Sequence, residues 1–238
     1  HRDQDASGIV TQKDRKFFMH KAKGMVKDVF RTRNMRGLPG NSGIGQVRYP
    51  TAGNADSEEE AQPFYVNAPF GIVMAHNGNL TNAHALRQEL FSTDHRHTNT
   101  ESDSEVLVNI IAHELEKNTR GIPLTVDNVF DAVAGVHARL KGSYAVISLI
   151  AGHGLLAFRD PYGIRPLCIG RAADGSVMLA SESVALEGTG FQLERDVAPG
   201  EAVFVALDGT LHTRQCAPSS QLYPCAVSYT HLTLPTKA

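Results

Sequence analysis

Residues 76–79 read HNGN and follow an apolar run, so small and amide-bearing residues come directly after a predicted buried strand. Backbone N–H groups in a glycine-containing turn, together with an asparagine amide, are suitable donors to negative charge that develops on a carbonyl oxygen. Asn77 and Gly78 are therefore candidate oxyanion-hole residues. From the local sequence alone an ordinary turn is the alternative, because the Asn-Gly pair favours turns.

Two charged residues could bind the two ends of an amino acid. Arg48 ends a predicted strand in GIGQVRYPTAG, where its guanidinium could grip a carboxylate through two hydrogen bonds. Asp103 lies in SDSE, a capping box that predicts a helix start, and its carboxylate could bind an ammonium group. The alternatives are a surface ion pair for Arg48 and compensation of the helix dipole for Asp103.

The histidines and cysteines do not form a metal-binding or nucleophilic pattern. His95 and His97 lie near His76 and His84 in the sequence, but no HxxxH or HExxH spacing accompanies them, and we predict no metal site. Cys168 lies in an apolar strand and is predicted to be a buried, inert thiol. Three cysteines without CxxC spacing favour neither a disulfide framework nor structural zinc.

Strands and helices must position these residues. Apolar runs bounded by turn residues predict strands at 44–49, 70–75, 143–150, 155–158, 166–170, 177–180 and 202–206. Helical periodicity predicts helices at about 82–91, 103–117 and 127–140. Clustered helices flanked by strands indicate a layered α+β fold rather than βαβ repeats.

Three connecting segments carry further predictions. DPYG at 160–163 and AADGS at 172–176 have the turn residues of hairpins. The acidic stretch at 54–63 is predicted to be a solvated loop.

Composition narrows the class of function. The 238 residues are 42% hydrophobic and 20% charged with a net charge of −2, which is typical of a globular domain and gives no basic surface for nucleic acid. No apolar stretch reaches the roughly 18–20 residues that span a bilayer, and HRDQDASG is not a signal peptide. We expect a cytoplasmic protein that acts on small molecules and binds neither nucleic acid nor membranes.

Eight segments together carry a family resemblance. In order they are HRDQDASG, GIGQVRYPTAG, EAQPFYV, AHNGNLTNAHALR, SDSE, FRDPYGIRPL, ASESVAL and VAPGEAV. They resemble the glutaminase domain of the amidophosphoribosyltransferase family over residues 1–225. That domain is similar to those of other class II glutamine amidotransferases, so the resemblance implies a four-layer αββα N-terminal-nucleophile (Ntn) hydrolase fold, here N-terminally truncated.

The resemblance also implies a reaction. In this family an N-terminal cysteine attacks the side-chain amide of glutamine with its own α-amine as base, and water later releases glutamate. The ammonia passes to phosphoribosyl pyrophosphate and gives 5-phosphoribosylamine, the first step of purine synthesis. The expected partners are thus glutamine and phosphoribosyl pyrophosphate, and the full-length protein is expected to be a homo-oligomer. No cofactor is expected in this chain, and Mg²⁺ is expected in the phosphoribosyltransferase domain.

The family pattern assigns roles to individual residues. Asn77 and Gly78 resemble the oxyanion hole, Arg48 the group that binds the α-carboxylate of glutamine, and Asp103 the partner of its α-ammonium. Thr51 is expected to line the same pocket.

The N-terminal segment departs from the pattern at one position. Arg2 matches an arginine near the active site in the family's HRGQD segment, although Asp3 stands where that pattern has glycine.

Larger departures suggest a fragment. The nucleophilic cysteine would lie upstream of His1, and the phosphoribosyltransferase half would follow residue 225. Residues 226–238 resemble a translated sequencing adapter. We therefore expect this chain to be inactive in glutamine hydrolysis. The alternatives are a glutaminase domain of hexosamine-phosphate or asparagine synthesis and a nucleophile-free module that binds an amino acid.

Overall fold

The computed structural model describes residues 5–48, 58–121, 123–218 and 222–226. The strands in these ranges are β1 (Ala6–Lys13), β2 (Lys16–Lys23), β3 (Ser42–Arg48), β4 (Phe64–Val66), β5 (Ile72–Leu80), β6 (Gly142–Ile150), β7 (Gly154–Arg159), β8 (Cys168–Arg171), β9 (Val177–Ala180), β10 (Gln192–Asp196), β11 (Glu201–Ala206) and β12 (Leu211–Gln215). The helices are α1 (Val26–Val29), α2 (Thr32–Arg36), α3 (Ala83–Ser92), α4 (Asp103–Thr119), α5 (Val126–Arg139) and α6 (Ser183–Glu187).

A six-stranded antiparallel sheet forms the centre of the fold, with the order β12-β11-β7-β6-β5-β4. Its interior strands β5 and β6 carry continuous apolar runs because both faces of the sheet are covered. Strand alternation sends Ile72 and Met74 to one face and Val73 and Ala75 to the other. All four side chains are buried.

Two three-stranded sheets cover one face of the central sheet. The sheet β2-β1-β3 packs Val10 and Ile44 against Val73 and Ala75. The sheet β10-β8-β9 packs Ile169 against the β7 and β11 part of the central sheet.

Helices cover the other face. Helices α4 and α5 bury an apolar stripe against Ile72, Met74 and Phe158, and α3 adds Leu86 and Leu90 to the same core. On the far side of the small sheet β10-β8-β9 lies the short helix α6, whose Leu186 packs on Cys168 and Ala180. The order helix, sheet, sheet, helix is the predicted αββα arrangement with a thin outer layer of helices.

Several predicted boundaries are wrong. The strand predicted at 70–75 runs from Ile72 to Leu80, and the strand predicted at 166–170 is Cys168–Arg171. Of the strand predicted at 44–49, residues 44–48 lie in β3 and residue 49 lies outside the described residues. The three predicted helices are present; α4 begins at the predicted residue, and the other helix ends are shifted by one or two residues.

The sequence did not predict five of the strands or the three short helices. Strands β2, β10 and β12 carry charged residues on exposed faces, which breaks the apolar pattern. Strand β4 has three residues, and the unpredicted helices have four or five, too few for a periodicity to show. Strand β1, with ASGIVTQK, has only a short apolar run.

One predicted hairpin is confirmed and the other is wrong. AADGS connects β8 to its neighbour β9, and Gly175 adopts a φ of 87° in the turn. DPYG does form a turn, closed by the Gly163 N–H donating to the Asp160 carbonyl at 3.0 Å. It leads from the central sheet into a different sheet, however, because β7 pairs with β6 and β11.

Candidate active site

The HNGN segment lies within strand β5 rather than in a turn after it. Strand β5 pairs with β6 along its whole length, from Ile72 to Leu80. On its other edge it pairs with β4 only from Ile72 to Met74. The pairing with β6 therefore extends the strand through the polar residues, while the described part of the chain leaves one edge of residues 75–80 without a neighbouring strand.

Side chains bind the main chain at this edge. The Gln62 side chain accepts a hydrogen bond from the His76 N–H at 2.6 Å and donates one to the His76 carbonyl at 3.1 Å. Four residues later, the Leu80 N–H donates to Oδ2 of Asp103 at 2.9 Å. Main-chain groups of an antiparallel strand alternate between its edges, so the N–H of Gly78 belongs to the same edge, between these two anchors.

Asn77, the neighbour of Gly78 in β5, carries a second donor. Its Nδ2 atom is buried and has no hydrogen-bond partner among the described residues. A buried donor without a partner costs roughly 1–3 kcal/mol, so an acceptor from a ligand would restore a favourable interaction. This is the feature expected of an oxyanion-hole amide.

Glycine is required at position 78 for a steric reason. A Cβ atom there would lie 2.0 Å from the Ser143 carbonyl oxygen and 2.8 Å from Nε2 of His76. The φ of Gly78 is 153°, at the limit of the region that favours glycine. The glycine is thus explained by crowding inside the sheet, not by the turn that the sequence suggested.

Helix α4 begins at Asp103, as predicted, but its capping differs from a simple box. Ser102 accepts from the Ser104 N–H at 3.3 Å. The Glu105 carboxylate accepts from the N–H groups of Thr100 and Asn99, at 2.6 and 2.8 Å, instead of reaching the Ser102 N–H. The loop before the helix is thereby fixed, and Asp103 is held beside β5 with its side chain 17% exposed.

His76 lies under the candidate oxyanion hole and was not assigned a role from the sequence. Its side chain is 1% exposed, with Nδ1 at 3.1 Å from the Ser104 hydroxyl and 3.7 Å from Oδ1 of Asp103. Burial lowers the pKa of His76, the Asp103 charge opposes this shift, and Arg165 adds to it. A neutral imidazole is therefore the form of His76 at neutral pH.

Arg48 is buried at the end of β3 in contact with two carboxylates. Its Nη2 lies 2.8 Å from Oε2 of Glu60, and its Nη1 lies 3.5 Å from Oδ2 of Asp5. Glu60 is also buried, in a single 3-10 turn at Glu58–Glu60, so the solvated loop predicted at 54–63 is wrong for this part. The ion pairs fix the direction of the guanidinium plane.

Three of the predicted site residues lie where β5 passes the start of α4. Asn77 and Gly78 are neighbours in β5, and Asp103 contacts the same strand at Leu80 and His76. Arg48 is connected to them through the segment that carries both Glu60 and Gln62. Arg2 and Thr51 lie outside the described residues, as do residues 227–238 of the predicted tail.

The thiols have properties of structural cysteines. Burial is the largest cause that raises the pKa of Cys168, to about 11, and burial also raises the pKa of Cys216. Cys168 is buried, as predicted. Neither thiol is ionised at neutral pH.

The described ranges contain neither a metal-binding cluster nor a helix suited to crossing a membrane. No three or more His, Cys, Asp or Glu residues there are grouped so that they could hold a metal ion. None of the helices there has the length and apolar character needed to cross a membrane.

Comparison with known proteins gives the class of this fold and site. The model of a family described as a glutamine amidotransferase domain matches residues 50–188. The chain belongs to this glutamine amidotransferase family. Two curated relatives belong to one kind of enzyme. The chain is 54% identical to the amidophosphoribosyltransferase of Escherichia coli K12 and 52% identical to that of Pseudomonas aeruginosa. Each match covers 99% of this chain and 47% of the relative, so the chain spans about half the length of these relatives.

Solved structures confirm the predicted fold class. A structure described as the allosteric regulatory enzyme of purine biosynthesis matches with a TM-score of 0.84 and 31% identity. A glutamine phosphoribosylpyrophosphate amidotransferase from B. subtilis, complexed with ADP and GMP, matches with a TM-score of 0.83 and 30% identity. Both matches cover 99% of this chain and 48% of the other.

Proposed function

We propose that the junction of β5 and α4 binds L-glutamine and holds its side-chain amide for hydrolysis. The observation that carries the proposal is the buried Nδ2 of Asn77, which has no partner among the described residues and lies next to Gly78. The carbonyl oxygen of the amide would accept from this Nδ2 and from the Gly78 N–H. Both donors stabilise the oxygen more strongly as it gains negative charge in the tetrahedral intermediate.

The charged residues complete the recognition of a free amino acid. Asp103 binds the α-ammonium group, with one carboxylate oxygen already fixed by the Leu80 N–H. Arg48 binds the α-carboxylate, and the Glu60 and Asp5 carboxylates orient its guanidinium. Thr51 and Arg2 belong to the same pocket in this proposal.

The reaction that follows is that of the family. A cysteine thiolate adds to the amide carbonyl, ammonia leaves, and water converts the thioester to glutamate. The ammonia is then used by the longer protein to convert phosphoribosyl pyrophosphate into 5-phosphoribosylamine. The names of the relatives reported above favour this use over hexosamine-phosphate or asparagine synthesis. A cytoplasmic, homo-oligomeric longer protein is part of the same proposal.

Binding of glutamine to the 238-residue chain tests the proposal by isothermal titration calorimetry. Binding is the appropriate measurement because the proposal assigns Asp103 and Arg48 to recognition of the ligand. The variant Asp103→Asn should weaken binding by about 30-fold, which corresponds to about 2 kcal/mol, because the ammonium group loses its counter-charge. Arg48→Lys should weaken it by about fivefold, since a lysine lacks the two-point geometry for the carboxylate.

The exposed Asp174 provides the matched control. Asp174→Asn makes the same change of charge far along the sequence, on a solvent-exposed turn, and should leave glutamine binding unchanged. Equal effects of Asp103→Asn and Asp174→Asn, or glutamine binding that is insensitive to both Asp103 and Arg48, would contradict the proposal.

A further inference from the structure

The side chain of Gln62 occupies a position that a neighbouring strand would normally fill. The pairs Phe64–Met74 and Val66–Ile72 define the register of β4 on β5. Continued by two residues, this register places Gln62 opposite His76. At this point the Gln62 side chain, and not its main chain, makes the hydrogen bonds to the His76 N–H and carbonyl.

The main chain of Gln62 packs against the small sheet instead of pairing with β5. Its carbonyl oxygen packs so closely on Gly8 of β1 that a Cβ atom at Gly8 would lie 2.0 Å from it. Gln62 therefore contacts the small sheet through its backbone and the central sheet through its amide. The residue after it, Pro63, has no N–H to donate to β5.

All hydrogen-bonding atoms of the Gln62 amide are used within this cluster. Besides its bond to the His76 carbonyl, Nε2 donates to the Ser104 hydroxyl at 3.1 Å, and Oε1 accepts from the His76 N–H. Both amide hydrogens are thus engaged. The cluster is buried and ties β5 to the first turn of α4.

These bonds fix the peptide group that leads into the candidate oxyanion hole. The His76 carbonyl belongs to the same planar peptide unit as the Asn77 N–H. The hydrogen bond to this carbonyl therefore fixes the orientation of the peptide plane that precedes the Cα atom of Asn77. Asp103 holds the Leu80 N–H on the other side. The segment from Asn77 to Asn79 is therefore held at both ends before any ligand binds.

We infer that Gln62 is a positioning residue for amide recognition, which holds the Asn77 and Gly78 donors in place for the glutamine carbonyl without touching the ligand. The inference rests on the proposed function. In this inference Gln62 contributes to selectivity for the side-chain amide and not to general affinity for amino acids, because it bonds neither Arg48 nor Asp103 directly. Its link to Asp103 runs through the Ser104 hydroxyl, which donates to Oδ1 of Asp103 at 3.4 Å.

A pair of ligands separates these two effects. Homoleucine (2-amino-5-methylhexanoate) has an isopropyl group where glutamine has its carboxamide, and it keeps both α-substituents. The full 238-residue chain should bind glutamine about tenfold more tightly than homoleucine, as expected for two hydrogen bonds to the amide. The variant Gln62→Leu should bring this ratio to within about twofold of one, with the dissociation constant of homoleucine unchanged.

Two further variants guard against a general effect on folding. Gln12→Leu removes another buried glutamine amide, which lies in β1 and donates to the Asp14 carbonyl, and this variant should keep the full preference for glutamine. Gln62→Glu keeps the size and the Oε1 acceptor but loses the donor to His76, and it should also lower the ratio.

The outcomes distinguish this inference from the proposed function. If the wild-type chain shows no preference for glutamine, the proposed function fails. If the wild type prefers glutamine and both Gln62 variants keep that preference, or weaken both ligands equally, Gln62 has only a structural role and the inference is overturned.

Discussion

At the scale of single residues, His137 shows how burial makes the stability of this domain depend on pH. Its Nδ1 lies 2.7 Å from the hydroxyl of Tyr144, and its ring stacks on the Tyr144 ring. Burial lowers the pKa of His137 to about 4 and raises that of Tyr144. The folded state therefore binds fewer protons than the unfolded state between pH 4 and 6.5. The stabilisation is complete above pH 6.5 and is lost as the pH falls towards 4.

We expect His137→Gln to reduce this dependence. Between pH 7 and pH 5 the wild type should lose about 2 kcal/mol more of its free energy of unfolding than the variant, because only the wild type must keep an imidazole neutral. Urea denaturation at the two pH values measures the difference. His97→Gln, at an exposed ring, serves as the control and should behave as wild type. If His137→Gln and the wild type lose the same free energy of unfolding between pH 7 and pH 5, the buried His137 is not the source of the pH dependence.

The residues of the candidate site were predictable to different degrees. Asn77, Gly78, Arg48 and Asp103 were predicted because their types match steps of the chemistry and because the family resemblance assigns them. The supporting residues were not, since their role depends on contacts between distant segments. Gln62 meets His76 across 14 positions and Ser104 across 42 positions of the chain. No local pattern encodes such a contact.

At the scale of elements, the loop after β7 supports the strand that faces the candidate oxyanion hole. Asp160 is fully buried, and its carboxylate accepts from the N–H groups of Tyr144, Tyr162, Ile164 and Arg165 at 3.0–3.3 Å. Tyr144 lies in β6, directly opposite Gly78. The loop thus braces β6 at the position where β5 carries its donors.

A second buried charge fixes the same loop. The Arg159 guanidinium donates to the carbonyls of Arg165, Val197 and Gly163 at 2.6–2.8 Å. Arg159 and Asp160 together satisfy most of the main-chain groups that a buried loop would otherwise leave unpaired. This explains why FRDPYGIRPL contains two consecutive buried charges.

Asp160→Asn should destabilise the domain by about 2–4 kcal/mol, because an amide would direct its own hydrogens at two of the N–H groups. Asp208→Asn is a matched control. Asp208 is exposed and accepts from the N–H two residues later, at 2.9 Å, as Asp160 does at 3.0 Å. Its change should stay within about 0.5 kcal/mol. Urea denaturation measures the free energy of unfolding of both variants. Similar losses in the two would show that the burial of Asp160 does not determine its contribution to stability.

Elements were predictable where one physical signal dominated. Strands β5 and β6 have continuous apolar runs, and the long helices α4 and α5 have a clear helical periodicity. The far half of β5 was missed because IVMAHNGNL turns polar after Ala75, and only its pairing with β6 keeps it extended. Edge strands such as β12, with LHTRQ, carry no apolar alternation that could be recognised.

At the scale of the whole molecule, different layers supply the groups that we propose bind the two ends of glutamine. The central sheet supplies Asn77 and Gly78, helix α4 supplies Asp103, and the small sheet supplies Arg48. The segment 58–62 joins the small sheet to the centre through Glu60 and Gln62. The α+β class followed from the pattern of elements, but the four-layer arrangement came from the family resemblance, because strand pairing between distant segments cannot be read from periodicity.

The most direct test of the account is a titration of the ¹⁵N-labelled chain with L-glutamine, followed in ¹H–¹⁵N correlation spectra. We predict that the largest shifts occur at the side-chain amide of Asn77 and the main-chain amide of Gly78, with smaller shifts at Leu80 and Asp103. Homoleucine should shift Leu80 and Asp103 but leave the Asn77 side chain nearly unchanged. The proposed binding site is contradicted if glutamine leaves Asn77 and Gly78 unperturbed, or if its shifts cluster instead around the apolar hollow lined by Leu124, Val129 and Phe204.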